Sequence, residues 1–360
     1  MLKKYNISVI VPFYNSENHI KKCLESLIGQ DFSLPFEIIM VDDGSSDRGE
    51  DLIKTYKYPY IKLFSLSSNS GPAVARNLGL KKAKGDYIFF LDIDDTIETN
   101  TLSVLYRAAI ETSSDLVFSD SKWVENDQNQ RENFYSYPED IDISGEELTK
   151  IMQDRLYNSQ HMGGPLSCKA RLIKRSLVED NNVQFEDRLR YLEDEIFMWD
   201  ILAFVNRAKY IRKQLYTYYV YPNVNTAVIA SLNRGFSVSK FKIIKNHIQQ
   251  SFAHRGCSRE EVNRLGDQAF IYFIINVLVS YSKSMLQGKV QSEKGIICRR
   301  QIIDNVLDDI EVAEAVKNYS PSENESLWIL RAINWKFPKL LEFTCTNRAK
   351  KILRLRRDQK

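Results

Sequence analysis

The sequence predicts an α/β protein: a mostly parallel sheet with helices on both faces, followed by a helical C-terminal region. Three observations carry this. Short, nearly continuous apolar runs recur along the first third, as buried parallel strands require. Each run is followed by turn residues and then by a segment with helical apolar spacing. From about Gly235 onward the strand pattern gives way to helical periodicity.

The elements follow in order. Ile7 to Phe13 is the first strand, and Asn15 or Ser16 can cap the helix after it. In that helix Ile20, Cys23, Leu24, Leu27 and Ile28 form one apolar face, and Gly29 can end it. Phe36 to Val41 is the second strand. It enters the turn-rich run Asp42–Asp47, ahead of a helix with Leu52, Ile53 and Tyr56 inward. Tyr60 to Phe64 is the third strand, and a helix begins near Pro72 and runs to about Lys84. Tyr87 to Leu91 is the fourth strand and ends in Asp92, Asp94 and Asp95. Period 2 puts Asp92 and Asp94 on one side of an extended segment and Asp95 on the other. A helix from about Thr99 to Glu111 and a strand at Asp115 to Ser119 complete the alternation. Two domains are expected, residues 1–232 and 233–360.

Composition narrows the class. With 43% hydrophobic and 11% aromatic residues the chain can fill a core. A formal net charge of +3 is too mild to argue for nucleic acid. The five cysteines are scattered, without CxxC or zinc-site spacing, which suggests reduced thiols in a cytosolic protein. The start runs directly into a strand pattern and does not read as a signal peptide. The apolar run Ala269 to Tyr281 is shorter than the roughly 17–25 residues of a membrane span and reads as a buried helix. An amphipathic stretch follows from Ile296 to Val316. The tail sets Arg348, Lys350, Lys351, Arg354, Arg356, Arg357 and Lys360 among Ile352, Leu353 and Leu355. That mixture suits an interfacial helix on anionic lipid, or a solvated tail or oligomer contact.

Chemistry points to the acidic clusters. Close carboxylates repel, so a cation is expected, and Mg²⁺ or Mn²⁺ prefers such oxygen ligands. Asp42/Asp43 and Asp92/Asp94/Asp95 both follow strands and should meet at one edge of the sheet, where open α/β sheets bind ligands.

Four stretches carry a specific resemblance: SVIVPFYNSENHIKKCLESLIGQ, FEIIMVDDGSSD, NSGPAVARNLGLKKAKGDYIFFLDIDD and YLEDEIF. In this order and spacing they resemble family 2 glycosyltransferases of the Rossmann-like GT-A fold, over about Ile7 to Leu202. The resemblance implies an inverting transferase of bacterial surface glycan synthesis (capsule, O-antigen or lipooligosaccharide). Its partners would be a UDP-sugar donor and a glycan or lipid-linked acceptor; the basic tail adds an anionic membrane surface, at the cytoplasmic face, as a further expected partner. Asp43 would accept from uracil N3–H, with Pro12 and Tyr14 completing the base pocket; either Asp42 or Asp43 can instead cap the next helix. Asp92-Ile93-Asp94 matches the DXD motif, in which Asp94 ligates the metal and Asp92 contacts ribose or metal. Arg76 suits phosphate, or pairs with Asp92 or Asp94 and positions them. Asp194 is the implied general base, with Glu193 supporting it; by themselves the two are only carboxylates at a helix start. Lys169 is a candidate for phosphate or acceptor contact, against a solvated basic stretch with Arg171, Lys174 and Arg175. The rivals are a catalytically silent binding protein on the same fold, and a sugar-phosphate nucleotidyltransferase. The latter needs a glycine-rich phosphate loop that Val11–Asn15 does not supply.

Overall fold

A computed structural model describes residues 5–125, 129–133, 137–157, 166–220, 237–288, 293–321 and 325–358. The first elements alternate as expected: β1 (Tyr5–Phe13), α1 (Glu17–Ile28), β2 (Phe36–Asp42), α2 (Gly49–Thr55), β3 (Ile61–Ser65), α3 (Pro72–Lys82) and β4 (Gly85–Phe90). Then come β5 (Thr96–Ile97), α4 (Thr101–Thr112), β6 (Leu116–Glu125), β7 (Asn129–Asn133), β8 (Ile141–Ser144) and α5 (Gly145–Tyr157). β9 (Arg171–Lys174), α6 (Arg175–Asp180), α7 (Glu193–Leu202) and β10 (Arg207–Val220) complete the sheet region. The chain divides into two units, residues 1–149 with 161–222, and residues 150–160 with 223–360. The boundary expected at residue 232 lies outside the described residues.

The sheet order is β3-β2-β1-β4-β9-β6-β10-β5. β3, β2, β1 and β4 pair in parallel, as the apolar runs predict. Beyond β4 the sheet is mixed. β9 lies antiparallel between β4 and β6, β10 is parallel to β6, and β5 is antiparallel to β10. β9 has four residues, so this insertion leaves little trace in sequence periodicity.

Alternation along β1 places helices on both faces. Ile7, Val9, Val11 and Phe13 join a core with Ile20, Leu24 and Leu27 of α1 and Leu102 and Leu105 of α4. Ile10 points the other way, toward α3. A Cβ added to Gly79 would lie 2.4 Å from Ile10 Cγ2, so a glycine there is what lets α3 sit down on the strand.

Helix caps differ from expectation. Ser16 occupies the N-cap position, but its hydroxyl donates to the Tyr14 carbonyl at 2.9 Å and does not cap the helix, and Asp47 Oδ2 accepts from the Glu17 N–H at 2.8 Å. The carboxylate that satisfies α1 therefore comes from the loop after β2. Gly29 does end α1.

The second unit contains α8 (Val238–His254), α9 (Arg259–Leu286), α10 (Glu293–Asp308), α11 (Ile310–Asn318), α12 (Leu327–Asn334) and α13 (Pro338–Asp358). The apolar run at Ala269 belongs to α9, whose 28 residues are long and apolar enough to cross a membrane, unlike the shorter run read from sequence. Most of its apolar window is nevertheless buried, against α8, α11 and α13. The amphipathic stretch Ile296–Val316 forms parts of two helices, α10 and α11. Asp309 breaks it, its Oδ1 accepting from the N–H groups of Glu311 (2.9 Å) and Val312 (3.2 Å). Buried Arg299 ties α10 to α9 and α13 through Ser282 Oγ (2.9 Å), Glu342 Oε1 (2.9 Å) and Thr346 Oγ1 (3.0 Å).

Candidate active site

The ends of β1 and β2 are laced together. The Asp43 N–H donates to the Phe13 carbonyl at 2.9 Å, and Asn15 Oδ1 accepts from the Ser46 N–H at 2.8 Å. Pro12 is buried in register with Val41, while Tyr14 is 45% exposed at the rim, free to stack on a flat ring. Asp42 and Asp43 are both buried, and neither caps α2. Asp42 Oδ1 closes a local turn by accepting from the Ser45 N–H (2.9 Å) and Oγ (2.6 Å). Asp43 accepts from the N–H groups of Ser70 (Oδ1, 2.8 Å) and Gly71 (Oδ2, 2.9 Å). It thus fixes the loop that starts α3. Each of its oxygens keeps a second lone pair for a ligand N–H.

Residues Arg76 and Asn77 on α3 tie that loop to the segment before α7. Asn77 exchanges two 2.8 Å hydrogen bonds with the Phe185 backbone. Arg76 is almost fully buried. Its Nη2 donates to Asp92 Oδ1 at 3.0 Å and its Nη1 to Glu193 Oε1 at 2.9 Å. One planar guanidinium therefore joins the carboxylate after β4 to the carboxylate that opens α7. Behind it Phe90, Phe185 and Phe197 form an aromatic wall, the last two stacked at 4.0 Å.

Asp95 does not lie on the opposite side from Asp92 and Asp94. β4 ends at Phe90, and a turn closed by the Asp95 N–H on the Asp92 carbonyl (3.0 Å) brings all three carboxylates together. Their ligand oxygens lie within 4.8 Å of one another. Period 2 fails here because the chain is no longer extended. Asp95 is held by β10: Tyr216 Oη donates to its Oδ2 at 2.6 Å and the Tyr219 N–H to its Oδ1 at 3.0 Å. Lys169 is not part of a solvated stretch. Its Nζ pairs with Asp92 Oδ2 at 2.8 Å and Asp95 Oδ2 at 3.5 Å, and stands 4.2 Å from the centre of the Tyr218 ring. Its neighbour Arg171 is buried and donates to the Ser119 carbonyl at 3.2 Å.

Electrostatics follow from this packing. Burial would raise the Asp92 carboxyl, but Lys169 and Arg76 outweigh it and hold the group well below the usual range. Burial raises Asp94, and Asp92 adds to the shift. Asp95 is pushed up to about 7, first by burial and then by Asp92 and Asp94 against the pull of Lys169. Glu193 is raised by burial and by Asp194, with Arg76 opposing. Asp92, Asp94, Asp95, Glu193 and Asp194 outnumber the cations Arg76 and Lys169, and Asp94 has no ion pair among the described residues. An all-oxygen cluster with excess negative charge fits a hard divalent ion.

Glu193 and Asp194 open α7, where the helix N-terminus favours negative charge. The residue before them, Leu192, has φ +67° and is half-buried, a left-handed conformation that turns the chain sharply into the helix. Glu193 is buried against Arg76, whereas Asp194 is only half-buried. Tyr216 and Tyr218 also stand at this cluster, and no sequence motif marks them. The only available signal was the alternation in Tyr216-Thr217-Tyr218, which puts both rings on one strand face.

The chain is similar to known proteins over most of its length. The family model for glycosyl transferase family 2 matches residues 8–180. The chain is 25% identical over 349 residues to the uncharacterized glycosyltransferase YibD of Escherichia coli, spanning 92% of this chain and 93% of that protein. It is 30% identical over 320 residues to a cholesterol galactosyltransferase of Borreliella burgdorferi, spanning 86% and 85%. The solved structure of S. aureus TarS 1-349 in complex with UDP-GlcNAc is similar in fold. Its TM-score is 0.69 at 23% identity, over 96% of this chain and 92% of that one.

Proposed function

The chain belongs to glycosyltransferase family 2 and has a GT-A fold with a C-terminal helical region, and from that premise we propose that it moves a sugar from a UDP-sugar to a hydroxyl of a glycan or lipid-linked acceptor, with inversion at the anomeric carbon. The observation that carries the reading is the buried Arg76 bridge between Asp92 and Glu193. It couples the donor-side carboxylates to the helix that bears the base, so both halves of the reaction share one rigid support.

Asp43, Pro12 and Tyr14 receive the nucleotide base. Asp43 can accept from uracil N3–H, a donor that cytosine lacks. The S. aureus neighbour was solved with UDP-GlcNAc, which supports a UDP-sugar. Asp94 and Asp92 would hold Mn²⁺ or Mg²⁺, which when bound offsets the charge of the departing diphosphate. Lys169, paired with Asp92 and Asp95, adds a fixed positive charge beside them for the phosphates or the acceptor.

Asp194 takes the proton of the acceptor hydroxyl while the acceptor oxygen bonds to the anomeric carbon. The bond from that carbon to the diphosphate breaks on the opposite face, and its electron pair leaves with UDP. Glu193 suits this task less, because its carboxylate is buried and committed to Arg76. Bacterial surface glycans are the acceptor class we favour, and the basic stretch after Arg348 supports an anionic membrane surface at the cytoplasmic face as a partner.

Calorimetric titration of UDP and CDP, with turnover followed by product analysis, tests the reading. UDP should bind more tightly than CDP, and a UDP-sugar should release UDP. Equal affinities would remove Asp43 from the base pocket, and release of pyrophosphate would identify a nucleotidyltransferase instead.

A further inference from the structure

Four aromatic side chains of the second unit face outward where α12 meets α13. Trp335 is 61% exposed, Phe337 50%, Phe343 62% and Trp328 48%. Three of them are joined. The Trp328 and Trp335 rings lie edge to face at 6.2 Å, and Trp328 and Phe343 line one groove of about 550 Å³. Scattered exposed apolar residues need no explanation, but a joined aromatic patch marks an interaction surface.

The tip of this patch is built into the backbone. Lys336 has φ +50°, the left-handed position that usually falls to glycine after a helix. The Lys336 N–H donates to the Ile333 carbonyl at 3.0 Å and the Phe337 N–H to the Ala332 carbonyl at 2.9 Å, closing the turn. A lysine thus stands in the strained position, flanked by two outward rings. The exposed charge around the patch is mainly basic; Glu325, which also lines the groove, has a buried side chain paired with Arg348. From Ser326 to Arg354 the sequence contains Arg331, Lys336, Lys339, Arg348, Lys350, Lys351 and Arg354 against the single acid Glu342, which pairs with Arg299. Lys336, Lys339, Lys350, Lys351 and Arg354 are exposed and form no ion pair among the described residues. Lys351 lines the groove and is exposed, while Arg348 beside it is paired with Glu325.

We infer that the α12–α13 corner, with Trp335, Phe337 and Phe343 as its inserting edge, docks on an anionic lipid bilayer. Amphipathic aromatic rings favour the headgroup boundary, and the lysines around them meet lipid phosphates. The inference assigns a face to the membrane partner named above and rests on that reading. It differs from the sequence expectation in placing the apolar contact on the aromatic corner and not on Ile352, Leu353 and Leu355.

Sedimentation of the full chain with phosphatidylglycerol-containing vesicles, beside pure phosphatidylcholine, tests this. The wild type should bind the anionic vesicles, with a blue shift of tryptophan emission. The triple variant Trp335→Ser, Phe337→Ser, Phe343→Ser should bind them more weakly by about tenfold or more. Its circular dichroism and UDP affinity should stay unchanged, which separates this surface from the nucleotide site. Lys336→Glu with Lys339→Glu, both at exposed positions, should also weaken binding. Undiminished binding by the triple variant overturns the inference while leaving a membrane partner in place. No binding by the wild type overturns both and leaves the UDP titration to judge the donor reading. A lipid-free dimer that the triple variant breaks would assign the face to a second copy of the chain.

Discussion

Arg76 is the side chain on which charge balance between the two acidic motifs depends. Replacing it by methionine would keep much of the volume, leave the buried Glu193 without its cation and leave the half-buried Asp92 to Lys169 alone. Removing one partner from a buried pair costs about 3–5 kcal/mol. Arg76→Met should therefore lower unfolding stability by about that much, read from urea titration, while an unchanged midpoint would mean the pairs are not formed in solution. Asp43→Asn takes away an acceptor oxygen from the loop amides of Ser70 and Gly71. A buried donor left unmet costs about 1–3 kcal/mol, and the same titration should show it. Much at this scale was legible. Residue type and spacing put Asp92 and Asp94 together at one strand end, and of the two roles left open for Arg76 the structure shows pairing with Asp92. Asp95 was misplaced because a turn replaces the strand after Phe90, and the use of Asp43 as a loop anchor depends on amides from a segment distant in sequence.

Among the elements, β1 and β4 set how closely the central strands approach. A Cβ on Gly85 would lie 2.4 Å from the Ser8 amide nitrogen and 2.5 Å from the Ile7 carbonyl carbon, both backbone atoms. Gly85→Ala should cost about 1–3 kcal/mol from overpacking, seen as a lowered denaturation midpoint; a stability equal to wild type would show that the strand can shift freely. The parallel half of the sheet was readable because its strands are short apolar runs between turn residues. β10 was not, since charged residues interrupt RAKYIRKQLYTYYV and its pairing with β6 shifts register twice. Tyr216 and Tyr218 went unassigned for that reason, although they line the acidic cluster. The break at Asp309 was hidden because the apolar spacing continues across the cap.

At the scale of the whole molecule, the nucleotide fold and its acidic sites belong to the first unit and the aromatic corner to the second. Metal removal bears on the first. If Asp92 and Asp94 hold the ion, donor affinity measured by calorimetry should fall in excess EDTA and return with Mn²⁺, whereas full transfer activity in EDTA would contradict a metal role. The second unit had no family signature in the sequence. Its helices were legible as helices, but the exposure of Trp335, Phe337 and Phe343 depends on a left-handed turn at Lys336 that no periodicity announces. The central claim is that the two acidic motifs form one transferase site with Asp194 as its base. Steady-state kinetics of Asp194→Asn beside Glu193→Gln test it most directly. General-base assistance is worth about 10²–10⁴-fold, so Asp194→Asn should lose roughly that factor in kcat and keep its affinity for UDP. Near wild-type transfer by Asp194→Asn, with Glu193→Gln inactive, would contradict the assignment.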